Sequence, residues 1–239
     1  MIWIGTSGYS YPEWKGSFYP ADLSTAKMLP YYAQHFTTVE INNTFYRMPS
    51  EKLLAGWAEA TPARFKLTLK APRRITHDAA LHNCEDLARS FCEIAGTLGD
   101  KLGILLFQLP PFFKKDLARL NSFLSSLPGG IRAAFEFRHP SWHAEDVFDR
   151  MRQSNLALCI ADSEKMSTPV VSTADYGYFR LRDEGYTKED IDRWAETVKK
   201  LQPGWKDTFV YFKHEEEGKG PELAKMLQER VQDKNKARG

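Results

Sequence analysis

Three carboxylates and a lysine stand where short apolar runs give way to polar residues: Glu40, Lys70, Glu136 and Asp162. Carboxylates gathered in one pocket can share a proton, or divide into acid and base when their surroundings push their pKa values apart. A lysine desolvated beside other cations becomes a base or an imine-forming nucleophile. Arg47, Arg138, Arg180, Arg182 and Lys213 occupy comparable positions, so with Lys70 six cations face three acids. That balance favours an anionic ligand. The competing assignment is structural, with Glu136 neutralised by Arg138 or Lys70 and Glu40 by Arg47, because a buried charge needs a partner whether or not it catalyses.

Asn42, Gln108 and His139 add hydrogen-bonding groups at similar exits, and Tyr46 and Trp142 add flat faces on which a sugar or base can stack. Other loop aromatics, Trp14, Phe18, Tyr19, Phe45 and Tyr186, fit the same role or a loop-packing cluster. The sequence calls for no metal and no cofactor. His139 and His143 straddle Pro140, which breaks a helical ligand pair, and His35, His77 and His82 read as surface or capping residues. Gly218-Lys219-Gly220-Pro221 offers a second anion site at a helix start, opposed by Glu215, Glu216 and Glu217 just before it.

These residues lie far apart in the chain, and the elements that would unite them are eight strand-like runs: 2–7, 37–42, 64–70, 103–109, 132–138, 156–162, 178–182 and 208–213. They begin about every 30 residues, the length of one strand-helix unit. Amphipathic helices fit between them, over 85–98 and 117–127, from Asp190, and with Pro221 as a first helical residue. The unit after the sixth run, 163–175, is short and holds Pro169. Eight such units predict a single α/β domain, a (β/α)8 barrel of the TIM type with eight parallel strands, over 1–239 with a frayed polar tail at 232–239. All strand C-termini then share one rim, where barrels place their sites. Strand period two turns Glu40, Asn42, Lys66, Lys70, Glu136 and Arg138 inward, and Val39, Ile41, Leu67, Phe135 and Phe137 toward the helices.

At 239 residues and 42% hydrophobic content the chain can bury a sizeable core. A net charge of +2 excludes partner binding by bulk charge, so electrostatic function must be local. Three cysteines, Cys84, Cys92 and Cys159, lack C-x-x-C spacing, and no long apolar run or charged leader is seen, which predicts a cytoplasmic protein with no membrane partner.

The segments 40–47 (EINNTFYR), 108–111 (QLPP) and 136–142 (EFRHPSW), with Gly5-Thr6-Ser7-Gly8-Tyr9, Trp14 and Phe18-Tyr19-Pro20, resemble the YecE-like family, domain of unknown function 72. The resemblance implies a barrel of the triosephosphate isomerase type and brings no reaction with it. The chain departs from the family pattern after the seventh run, at Arg182-Asp183, and after the eighth, at Lys213-His214. The residues together predict an enzyme, an isomerase, lyase or hydrolase, that binds a small anionic metabolite, phosphorylated or carboxylate, at the rim and performs acid/base chemistry. Two other readings stand beside it: a nuclease-like barrel gripping a nucleic-acid phosphate backbone, and a non-catalytic ligand sensor.

Overall fold

The computed structural model describes residues 1–163 and 166–232. Its strands are β1 (Ile2–Thr6), β2 (Thr38–Ile41), β3 (Lys66–Lys70), β4 (Leu102–Gln108), β5 (Ala133–Glu136), β6 (Ala157–Asp162), β7 (Tyr176–Leu181) and β8 (Asp207–Phe212). Helices α1 (Thr25–Tyr32), α2 (Asn43–Tyr46), α3 (Glu51–Glu59), α4 (Glu85–Gly96), α5 (Leu117–Ser126), α6 (Glu145–Gln153) and α7 (Lys188–Leu201) lie between them, and α8 (Lys219–Gln232) follows β8. All neighbouring strands pair in parallel, in the order β1-β8-β7-β6-β5-β4-β3-β2. The expected eight-stranded parallel barrel is the fold.

The two sheet edges, β1 and β2, meet through a bridge between Ser7 and Glu40, and the Gly8 N–H donates to the Glu40 carbonyl at 2.8 Å. Gly5 permits this approach, because a Cβ there would lie 2.2 Å from the Thr38 carbonyl oxygen. Glu40 therefore sits at the seam where the barrel closes.

Alternation along each strand builds two cores. Outward residues such as Leu67, Phe107, Phe135 and Val210 pack under the helices, among them Phe91 of α4 and Phe123 of α5. Inward residues, including Trp3, Ile104, Leu106, Tyr178, Phe209 and Tyr211, fill the barrel. Near its middle the Tyr211 hydroxyl bonds to Thr38 Oγ1 at 2.7 Å and Thr68 Oγ1 at 2.8 Å. Helix starts carry their own signals: Asp116 accepts from the Arg119 N–H before α5, and Thr187 with Asp190 forms a capping box at α7.

Several boundaries differ from those expected. β7 starts two residues earlier, at Tyr176, and Arg182 lies just past its end, as Asn42 and Arg138 lie past β2 and β5. Residues 166–175 hold no helix. Pro221 is the third rather than the first residue of α8, tolerated because first-turn N–H groups have no partner within a helix. Gln232 closes α8 and is not part of a frayed tail, while 233–239 fall outside the described residues. Cys84 precedes α4 instead of lying within a helix, and all three cysteines are free and buried.

Candidate functional site

At the rim, the last inward side chains of β2, β5 and β7 meet in one ionic cluster. Arg180, 1% exposed, is its centre. Its Nε donates to both carboxylate oxygens of Glu40 at 3.0 Å, its Nη1 to Glu136 Oε2 at 3.0 Å, and its Nη2 to Ser7 Oγ at 3.1 Å. Glu40 also accepts from the Ser7 hydroxyl and from the Tyr178 hydroxyl, the latter at 2.5 Å. Asn42 completes the cluster by donating to Ser7 Oγ at 2.9 Å, and its own buried Oδ1 finds no partner among the described residues. Glu136 takes two further cations, Arg138 at 2.7 Å and Arg182 at 3.6 Å.

This wiring decides how the acids ionise. Burial raises the carboxyl pKa of Glu136, but the Arg180, Arg138 and Arg182 guanidiniums outweigh it and hold the group well below the usual carboxylate range. Glu40 is likewise held low, against burial, by the charge of Arg180 and by hydrogen bonds from Arg180, Ser7 and Tyr178. Both are fixed anions that accept hydrogen bonds.

Above the cluster opens a cleft of about 340 Å³, lined by Lys70, Arg73, Arg138, Arg180, Arg182 and Lys213 together with Phe45, His77 and Gln108. Six of these nine residues are lysines or arginines, and among the described residues no carboxylate lines the cleft. Arg73 is paired with Asp78 at 3.0 Å and Lys213 more loosely with Glu215 at 3.5 Å. Lys70 Nζ has no hydrogen bond or ion pair among the described residues and rests 4.1 Å from the centre of the Phe45 ring. That ring face favours the ammonium form. Burial and then the nearby Arg180 outweigh it, with Arg138 adding and Glu136 and Glu40 opposing, and pull the Lys70 pKa down to about 7. His77, with Nδ1 at 2.9 Å from Thr76 Oγ1, is pulled down to about 4 by burial and by Lys70, Arg138 and Arg73. It is a neutral imidazole at pH 7. A hollow of similar size, about 330 Å³, opens at the opposite end beside Ile2 and Trp3, with mostly uncharged walls.

The structure brings together Glu40, Asn42, Lys70, Gln108, Glu136, Arg138, Arg180 and Lys213. Others lie elsewhere. Asp162 has the opposite parity to the inward Cys159 and Ala161 and is held by Tyr186 at 2.9 Å and by Ser167, away from Glu136. Arg47 is exposed, and Glu40 takes Arg180 in its place. Trp142 is fully buried, stacked on Phe137 and donating to the Phe113 carbonyl at 2.7 Å, so it offers no face to a ligand. His139 is occupied locally, its Nδ1 accepting from the Ser141 N–H at 3.2 Å. Tyr46, 82% exposed, stands outside the cleft beside Phe45. Trp14 and Tyr19 are buried and pack with Phe18. Gly218 and Gly220 sit against Ser17 and Trp14, and Lys219 of the expected second anion loop lines a separate hollow of about 300 Å³ with Arg182, Lys213, Glu184, Glu215 and Glu216. Among the described residues no three His, Cys, Asp or Glu side chains converge as metal ligands.

The cleft and cluster also hold three residues not expected there from the sequence, Tyr178, Arg73 and His77, the last of which was expected to be a surface or capping residue. Tyr178 was legible by parity, two residues before Arg180. Arg73 and His77 were not, because they ride on an irregular β3–α4 connection with one wide helical turn at Arg74–Asp78 and left-handed Ala80, Leu81 and Asn83 (φ of 47°, 64° and 49°).

The same chain, from residue 3 to residue 238, matches the model for the protein of unknown function DUF72. The chain belongs to the DUF72 family. Among its relatives, UPF0759 protein YecE of Escherichia coli is 36% identical over 146 residues, 61% of this chain and 51% of YecE, so the match spans about half of that relative's length. UPF0759 protein YunF of Bacillus subtilis is 25% identical over 268 aligned positions, covering 96% of this chain and 94% of YunF. The crystal structure of a DUF72 family protein from Thermotoga maritima superposes with a TM-score of 0.82 at 27% identity, covering 97% of this chain and 99% of that one. The barrel is thus shared within DUF72, and none of these relatives brings a named reaction to the rim. Among the described residues no helix is long and apolar enough to cross a membrane.

Proposed function

We propose that the rim cleft binds a small anionic metabolite and that Lys70 acts on it as a neutral amine. The observation that carries this is the lining, five cations besides Lys70 and, among the described residues, no carboxylate around about 340 Å³. Glu40 and Glu136 are engaged beneath by Arg180, so an entering phosphate or carboxylate meets the guanidinium and ammonium groups of Arg138, Arg182 and Lys213, the last two held only loosely by Glu136 and Glu215 at 3.6 Å and 3.5 Å. Glu40 and Glu136 serve as counter-charges that aim Arg180, since both stay ionised and engaged. Proton transfer falls to Lys70, whose pKa of about 7 suits a base at neutral pH, with His77 beside it on the same wall.

Thermal unfolding across a phosphate titration tests the site, because a ligand bound only to the folded state raises its apparent stability by mass action. Phosphate should stabilise the parent, and Arg182→Ala should lose most of that gain. Equal gains in parent and variant would refute the site. A duplex oligonucleotide stabilising the parent far better than phosphate would put a nucleic-acid backbone in the metabolite's place, with exposed Tyr46 beside it.

A further inference from the structure

Resting on the anion site just described, we infer that its ligand carries a carbonyl group and that Lys70 forms an imine with it. Three features single out this amine. Lys70 is 9% exposed, and the exposed part faces the cleft it lines. Among the described residues its Nζ lacks the hydrogen-bond and carboxylate partners that normally hold a buried ammonium, because Arg180 and Arg138 have taken Glu40 and Glu136. The Phe45 ring, 4.1 Å away, covers one side of the amine and narrows the approach to the cleft. A lysine kept only as an electrostatic clamp has no need of this isolation, whereas a nucleophile needs its lone pair free.

The step balances without a further reagent. The Lys70 lone pair forms the C–N bond as the carbonyl oxygen takes up a proton. The amine then gives up its two protons, and the hydroxyl leaves as water when the C=N bond forms. Protonation of the nitrogen yields an iminium whose positive charge is offset by the ligand's own anionic group among Arg138, Arg182 and Lys213. Neutral His77 on the same wall can accept and return the proton.

Glycolaldehyde phosphate with sodium borohydride, followed by peptide mass mapping of the full chain, tests the inference. At pH 7 an amine of pKa about 7 is about half neutral, against roughly 0.04% for an ordinary lysine. Allowing for the lower nucleophilicity of a weaker base, trapping at Lys70 should exceed that at exposed Lys52 by at least about tenfold. Inorganic phosphate should protect Lys70 selectively against glycolaldehyde phosphate, and uncharged glycolaldehyde should keep the preference due to the amine itself but lose the further gain that its phosphate group brings. Lys70→Arg, which leaves a cation in the cleft but no amine lone pair, should abolish the rapid adduct while phosphate still raises its unfolding temperature. If glycolaldehyde phosphate stabilises the parent but its adducts spread over exposed lysines, or if rapid trapping survives in Lys70→Arg, the imine is overturned and the anion site stands. Absence of both stabilisation and selective trapping overturns both.

Discussion

Replacing Arg180 by Met removes the one cation that bonds Glu40 among the described residues and one of three that hold Glu136. Glu40 is 0% exposed, so the variant must either carry an unpaired buried carboxylate or protonate it. Breaking a buried pair from one side costs about 3–5 kcal/mol, and for a chain of this size that corresponds to a fall in Tm of about 10 °C. In the parent both carboxyls have lowered pKa values in the folded state, so their contribution is present above the usual carboxylate range and is lost as pH falls through the folded values. In Arg180→Met, burial without the guanidinium pushes Glu40 above its unfolded value. The deficit is then largest at pH 7 and shrinks as the pH is lowered toward 5, because the folded variant takes up the proton. Urea unfolding at both pH values measures this, and adding Glu40→Gln to Arg180→Met should recover about 1–3 kcal/mol by removing the unpaired charge. If Arg180→Met lies within about 1 kcal/mol of the parent at pH 7, or if the second substitution recovers nothing, the cluster does not work as an interdependent unit.

Gly5→Ala should destabilise by about 1–3 kcal/mol in calorimetry, since its Cβ would collide with backbone at the seam; an unchanged Tm would mean the seam can open there without cost. Tyr211→Phe should lose about 1–2 kcal/mol in urea unfolding through its bonds to Thr38 and Thr68, and less than about 0.5 kcal/mol would show those hydroxyls re-pairing on their own. Competitive acetylation should find Lys70 reactivity rising through pH 7 and levelling above it, set by burial, Arg180 and Arg138 against Glu136 and Glu40, and a midpoint near 10 would return it to an ordinary ammonium.

Much of the barrel was legible in the chain because its evidence is local. A strand repeats every second residue and a helix every three to four, and eight alternations leave few architectures. Parity alone placed Glu40, Lys70, Glu136 and Arg138 inward, since side-chain direction along a strand follows from backbone geometry. Parity applied to β6 also argues against Asp162, because the inward residue next to it is Ala161. Which cation meets which anion was not legible. Arg47, seven residues from Glu40, was the natural guess, yet the partner is Arg180, 140 residues away, because the tilt and closure of the barrel bring β2 opposite β7. His77 and Arg73 joined the cleft through an irregular loop whose path no periodicity encodes. The isolation of Lys70 likewise depends on three other residues having claimed the nearby charges. Residue type and direction are properties of a short stretch of chain, whereas pairing, desolvation and pKa are properties of everything that packs around it, and only the closed barrel determines those.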